Sequence, residues 1–169
     1  MSSQDEQRIG GSQQGGGLHG RFDYLLDAKK RFSVPADWRD AMGSPDYVYV
    51  LPDPAMQYLH LLPPEEMERT FEVLRHRDLF EGDLDASLGL INEYVDKVWL
   101  DGQGRIRVND QLLNHAMIED TIVMIGTRTR AQLWSLKLRP ATSALDQDAF
   151  EEAYRTFKKC KSQIESRKR

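Results

Sequence analysis

The chain has 169 residues, 40% of them hydrophobic and 30% charged, with a formal net charge of −4. That length suits one ordinary domain or two small ones with a modest core, and no run approaches the roughly 20 apolar residues of a membrane span. The single cysteine, Cys160, excludes an intrachain disulfide and a cysteine-based zinc site, and His19, His60, His76 and His115 lie at no ligand spacing. No metal and no cofactor are therefore expected.

The acidic total argues against nucleic acid as a partner, but its distribution argues the other way. Lys29, Lys30 and Arg31 are clustered, as are Arg128, Arg130, Lys137 and Arg139, and the C-terminal KKCKSQIESRKR is basic. Acidic residues crowd positions 65–85. A charge-segregated chain can bind DNA with one face while its total stays acidic.

In chain order, residues 1–17 (MSSQDEQRIGGSQQGGG) hold no apolar core, cannot act as a secretory signal, and read as a flexible tail. A cytoplasmic protein is the default. Residues 22–26 (FDYLL) and 31–34 (RFSV) are strand-prone around the polar DAKK, and Pro35 opens a short helix, PADWRDAM. Two strands are expected at 47–51 and 57–62. Pro63 and Pro64 followed by Glu65, Glu66 and Glu68 start a helix that carries Met67, Phe71 and Leu74 at helical spacing. A second helix at 83–92 places Leu84, Leu88 and Ile91 on one face.

Residues 94–100 (YVDKVWL) alternate like a strand, DGQG signals a hairpin turn, and 105–108 (RIRV) is the return strand. A helical turn at 110–116 precedes strands at 121–126 and 131–136. A final helix from Asp146 carries Phe150, Tyr154 and Phe157 as an apolar stripe, with acidic residues early and lysines late, matching the helix dipole. Such a stripe packs on a core or a neighbouring subunit.

This order repeats. The second copy lies 74 residues after the first (Asp27 to Asp101, Arg31 to Arg105), with Phe32 falling on Ile106 and Val34 on Val108. Each copy runs strand, polar turn, strand, helical turn, two strands. Halves of about 40 residues are too small to hold separate cores, so they are expected to interlock. The boundaries follow: a tail at 1–17, a first half at 18–64, a helical connection at 65–92, a second half at 93–139, and a C-terminal helix with a basic tail at 140–169.

Asp and Arg on either side of a tight turn can pair and so hold the guanidinium in a fixed pose, suited to phosphate or a guanine edge. Lys29 and Lys30 add charge at the first tip. At the second, Gly102 and Gly104 leave the backbone accessible, and Arg107 lies two residues beyond Arg105. The alternative is that Asp27–Arg31 and Asp101–Arg105 are ion pairs that only close their turns.

LHGRFDYLLDAKKRFSVPADWR resembles the opening of the MraZ proteins, bacterial transcriptional regulators of the division and cell-wall gene cluster, with Gly20, Leu26, Asp27, Lys29, Arg31 and Pro35 in the pattern. VWLDGQGRIRV and TIVMIGTRTRAQLWS resemble that family's second half through Asp101, Gly104, Arg105, Gly126, Leu133 and Trp134. The resemblance implies an α+β fold with a mainly β core, in which two tandem AbrB-like swapped-hairpin halves form a pseudo-dimeric barrel. It further implies a nucleoid-associated, ring-like homo-oligomer that binds short direct repeats in double-stranded promoter DNA, usually as a repressor. DNA contacts are carried over onto Arg31, Lys29 and Arg105, while Lys30 is added from its charge and position. Lys30 in place of glycine, Asn109 in place of proline, Leu18-His19 in place of Phe-Arg, and the Gly-rich tail depart from the pattern.

Two other classes compete with this reading. One is an oligomeric scaffold or interaction module whose Asp-x-x-x-Arg turns are structural. The other is an enzyme, for which no nucleophile–His–acid set stands out, and GGSQQGGG lacks the Lys-Ser/Thr of a P-loop. A non-enzyme is expected.

Overall fold

The computed structural model describes residues 16–169, so all of the expected tail except Gly16 and Gly17 lies outside the described residues. Two units are present, one ending at Arg139 and the other comprising Pro140–Arg169. The first is α+β. Strand β1 (Arg21–Leu25), the two-residue β2 (Phe32–Ser33), helix α1 (Ala36–Ala41), β3 (Tyr47–Pro52) and β4 (Leu59–Leu62) make up the first half. Helix α2 (Pro64–Phe71), a 3-10 turn (Glu72–His76) and helix α3 (Gly82–Glu93) connect it to the second half. That half contains β5 (Asp96–Trp99), β6 (Arg105–Ile106), α4 (Asp110–His115), β7 (Thr121–Gly126) and β8 (Ala131–Ser135).

Six strands form one antiparallel sheet in the order β1-β7-β8-β4-β3-β5, and β2 pairs with β6 as a separate ribbon. Exchanging the two halves turns that order into its own reverse, so the sheet has a pseudo-twofold topology. The sequence suggests that the strands flanking each polar turn pair as a hairpin, and the structure corrects this. Each turn is closed locally, but β1 leaves to pair with β7 and β5 leaves to pair with β3. The expected barrel is not closed by a continuous ladder either: among the described residues the six-stranded sheet ends at β1 and β5.

The exchange follows from burial. Phe32, Val34 and Trp38 of the first half and Ile106, Val108, Leu112 and Leu113 of the second are all nearly inaccessible to solvent. They share one core with Val48, Val50, Leu59, Leu61, Ile122, Met124 and Leu133 from the sheet. Phe32 lies directly opposite Ile106 in the ribbon, so the copies meet at equivalent residues. At the sheet's margin, Leu18 bridges to Arg128 and the Gly126 N–H donates to the Gly20 carbonyl. A Cβ on Gly126 would lie 2.4 Å from the Leu18 backbone, which explains glycine at that close approach.

Asn109 caps α4: its side chain accepts from the Leu112 N–H at 2.9 Å. The periodicity beyond Phe71 is not one continuous helix, because α2 tightens into the 3-10 turn that contains Leu74. On α3, Leu84 and Leu88 are half-buried but Ile91 is exposed.

The second unit contains α5 (Gln147–Arg167), capped by Asp146, whose side chain accepts from the Ala149 N–H. Its stripe is uncovered: Phe150, Tyr154, Phe157 and Ile164 are all exposed. Among the described residues no helix is long and apolar enough to cross a membrane.

A core shared at Phe32 and Ile106 predicts that the halves do not melt separately. Phe32→Ala should destabilise by about 3–5 kcal/mol. In denaturant titrations followed by both tryptophan fluorescence and circular dichroism, the two probes should shift together in a single transition.

Candidate nucleic-acid interface

The two Asp-x-x-x-Arg turns have the same hydrogen-bond plan. In the first, the Asp27 N–H donates to the Arg31 carbonyl and the Lys30 N–H to the Asp27 carbonyl. Asp27 Oδ1 accepts from the backbone N–H groups of Lys29 and Arg31, and Oδ2 accepts from Arg31 Nε at 2.8 Å. In the second, Asp101 Oδ1 accepts from the N–H groups of Gln103 and Arg105, and Oδ2 from Arg105 Nε at 2.7 Å. The carboxylate thus organises the loop and clamps the guanidinium by one nitrogen. The terminal Nη groups of Arg31 and Arg105 have no hydrogen-bond partner among the described residues.

Lys30 takes φ +59°, the left-handed conformation that Gly104 takes at the matching position with φ +73°. The lysine therefore preserves the shape of the turn, at a conformational cost of roughly 1–2 kcal/mol relative to glycine. Gly104 also lies beneath Arg39, where an added Cβ would fall 2.4 Å from the guanidinium carbon. Gly102 is different: its φ is not positive, open space surrounds it, and Ala28 occupies the matching place. Nothing at that position requires glycine.

The ribbon sets the two tips side by side. Ser33 lies opposite Arg105, and the Val34 N–H donates to the Gly104 carbonyl at 2.9 Å. Lys29, Lys30, Arg31, Arg105 and Arg107 are gathered along this edge by a contact between halves that are distant in sequence. The repeat breaks at Asp110. Its Oδ1 accepts from Lys30 Nζ and from Arg107 Nη2, both at 3.0 Å. This carboxylate, on the first turn of α4, joins the first tip to the second half. Sequence reading missed it, because Ala36 holds the matching place in the first half and 80 residues separate Asp110 from Lys30.

The second basic stretch is largely committed elsewhere. Arg130 pairs with Glu66 of α2 at 3.3 Å, Lys137 with Glu119 at 3.6 Å, and Arg139 lies over the Trp134 ring. Trp134 also stacks on Tyr58 and donates to Gln132, so it is a packing element.

The turn carboxyls are acidified. The Arg31 N–H, followed by its guanidinium, holds Asp27 below its ordinary 3.8. The Arg105 N–H, followed by its guanidinium, lowers Asp101 to about 2. A carboxyl depressed on folding contributes stability that is complete above 3.8 and is lost as pH falls towards 2. The backbone amide shifts of Gln103 and Arg105 should therefore titrate together with a midpoint near 2. A midpoint at 3.8 would mean that Asp101 does not organise the turn.

The fold and the site define a class: an internally duplicated α+β protein that presents two carboxylate-braced arginines side by side. No group of side chains suited to a metal ion occurs among the described residues. No protein-family model matches the chain. The chain is 28% identical over 116 residues to the transcriptional regulator MraZ of Alkaliphilus metalliredigens, spanning 69% of this chain and 79% of that protein. It is 28% identical over 135 residues to the MraZ regulator of Caldanaerobacter subterraneus, spanning 80% of this chain and 92% of that one. A Thermoanaerobacter MraZ regulator is 29% identical over 135 residues with the same coverage. Over most of its length the chain is thus similar to transcriptional regulators named MraZ.

Proposed function

We propose that this chain is a sequence-specific DNA-binding transcriptional regulator that uses the paired tips as its DNA-facing edge. The observation that carries this reading is the pairing of β2 with β6, which brings two braced arginines and three further cations to one place. Similarity to the MraZ regulators supports the regulatory role. In this reading Arg31 contacts a base edge, and Lys29, Lys30 and Arg105 contact phosphates or bases beside it. Asp27, Asp101, Gly102 and Gly104 belong to the supporting turns. The halves at 18–64 and 93–139 are two AbrB-like swapped hairpins, consistent with the exchange of β1 and β5 between them.

Each tip offers few contacts, so a ring-like oligomer engaging several short direct repeats supplies the avidity, which can exceed single-site affinity by about 10²–10⁴. The target is the promoter of the division and cell-wall gene cluster, the action is repression, and the site of action is the nucleoid in the cytoplasm. The competing reading, an oligomeric scaffold with purely structural turns, draws on the fact that the Asp27–Arg31 and Asp101–Arg105 pairs are local to their loops.

Binding to the DNA upstream of the chain's own gene separates the two. Arg31→Ala should weaken specific binding by about 5- to 150-fold per contacted repeat, a bidentate base contact being worth about 1–3 kcal/mol. Lys29→Ala should lower affinity for all sequences and reduce the slope of log K against log salt by about 0.9. Wild-type binding by Arg31→Ala, or affinity that does not change with salt, would leave the scaffold reading standing.

Asp110 opposes that binding, because its carboxylate already occupies Lys30 and Arg107. Hydrogen bonds from those two side chains hold its carboxyl below 3.8, so it stays ionised at neutral pH. Asp110→Asn should tighten binding to non-specific duplex DNA and steepen the salt slope by up to about 0.9 for each cation released. Fluorescence anisotropy across a salt series measures both.

A further inference from the structure

We propose that α5 is a self-association element that pairs antiparallel with α5 of a second copy of this chain. Residues Phe150, Ala153, Phe157, Cys160 and Ile164 recur at alternating spacings of three and four, the a/d seam of a coiled coil. All five are solvent-exposed on a helix of 21 residues. Tyr154 flanks this seam beside Phe157 and widens its N-terminal half. Large side chains fill every first position, Phe150, Phe157 and Ile164, and small ones fill every second, Ala153 and Cys160.

That alternation fits two helices running in opposite directions. Phe157 of one then lies across from Cys160 of the other, and Ile164 across from Ala153. Bulk meets space in both layers, and each contact is repeated by the twofold axis.

Charge selects both the occupant and the direction. Asp146, Asp148, Glu151 and Glu152 lie at the start of the helix, and Lys158, Lys159, Lys161, Arg167, Lys168 and Arg169 at its end. The two residues that run against this division, Arg155 and Glu165, are each paired within the helix, with Glu151 and Lys161. An antiparallel copy places the acidic end of each helix on the basic end of the other and opposes the helix dipoles favourably. A parallel copy brings like charges together along the whole length. The helix is thus complementary to itself reversed, which an unrelated partner would not require, and its acidic end is unsuited to an anionic lipid surface.

The test uses the full-length chain, with mass measured by light scattering. Phe157→Glu should reduce the assembly to half its wild-type mass without loss of helical circular dichroism, and Phe157→Leu should retain the wild-type mass. An unchanged mass for Phe157→Glu, or a monomeric wild-type chain, overturns the proposal. Direction is read from a spin label at Gln147→Cys in a Cys160→Ala background. The antiparallel register separates the two labels by about 35 Å at 1.5 Å per residue, a population that Phe157→Glu should abolish. A population near the helix spacing of about 10 Å, or none that depends on Phe157, overturns the antiparallel pairing.

Discussion

Two residue pairs in the short ribbon, Phe32 with Ile106 and Ser33 with Arg105, are the contact on which the rest of the first unit depends. Phe32 and Ile106 are both buried to within 2% of full occlusion. Their contact commits each half to the other's core, because neither has enough apolar surface to close one alone. The strands that lead into the ribbon then cannot fold back on their own neighbours. β1 and β5 cross to the opposite half, and the sheet acquires its twofold order.

The same contact makes one edge out of two tips. Each turn is a self-sufficient device in which a carboxylate satisfies two backbone N–H groups and one guanidinium nitrogen. Such a device can brace a loop anywhere, and surface ion pairs of this kind contribute little to stability. What gives the two turns joint meaning is their adjacency, which doubles the density of cationic groups without any new local chemistry. Lys30 shows where the balance was struck. It accepts the left-handed backbone that glycine adopts freely at 104, and in exchange places an ammonium at the tip.

That ammonium is not simply available. Asp110 draws Lys30 and Arg107 onto one oxygen, so the edge holds part of its charge in internal pairs. Arg130 and Lys137 are similarly engaged with acidic partners. A count of basic residues along the chain therefore overstates the charge that a phosphate backbone can meet. Attraction is strongest at Arg31 and Arg105, whose braced guanidiniums keep their terminal nitrogens unengaged by the described residues.

By itself, the sequence determined the local elements and their repetition. Pro35, Pro64 and Asp146 mark helix starts, glycine and aspartate mark turns, and the common spacing of Asp and Arg makes the two halves recognisable, because all of these depend on residues a few positions apart. The candidate tips were legible for the same reason, as was the amphipathic stripe of α5. Tertiary structure alone decided which strands pair, since ladder partners are chosen by how both halves bury Phe32 and Ile106 together, and DGQG signals a turn whether or not its flanking strands stay paired. It alone showed that Gly102 lies in open space without a positive φ, and that Lys30 takes the same left-handed backbone as Gly104. It alone placed Asp110 beside Lys30: an ion pair that spans the two halves leaves no periodic trace in a chain, and forms only once the shared core has brought the tips together.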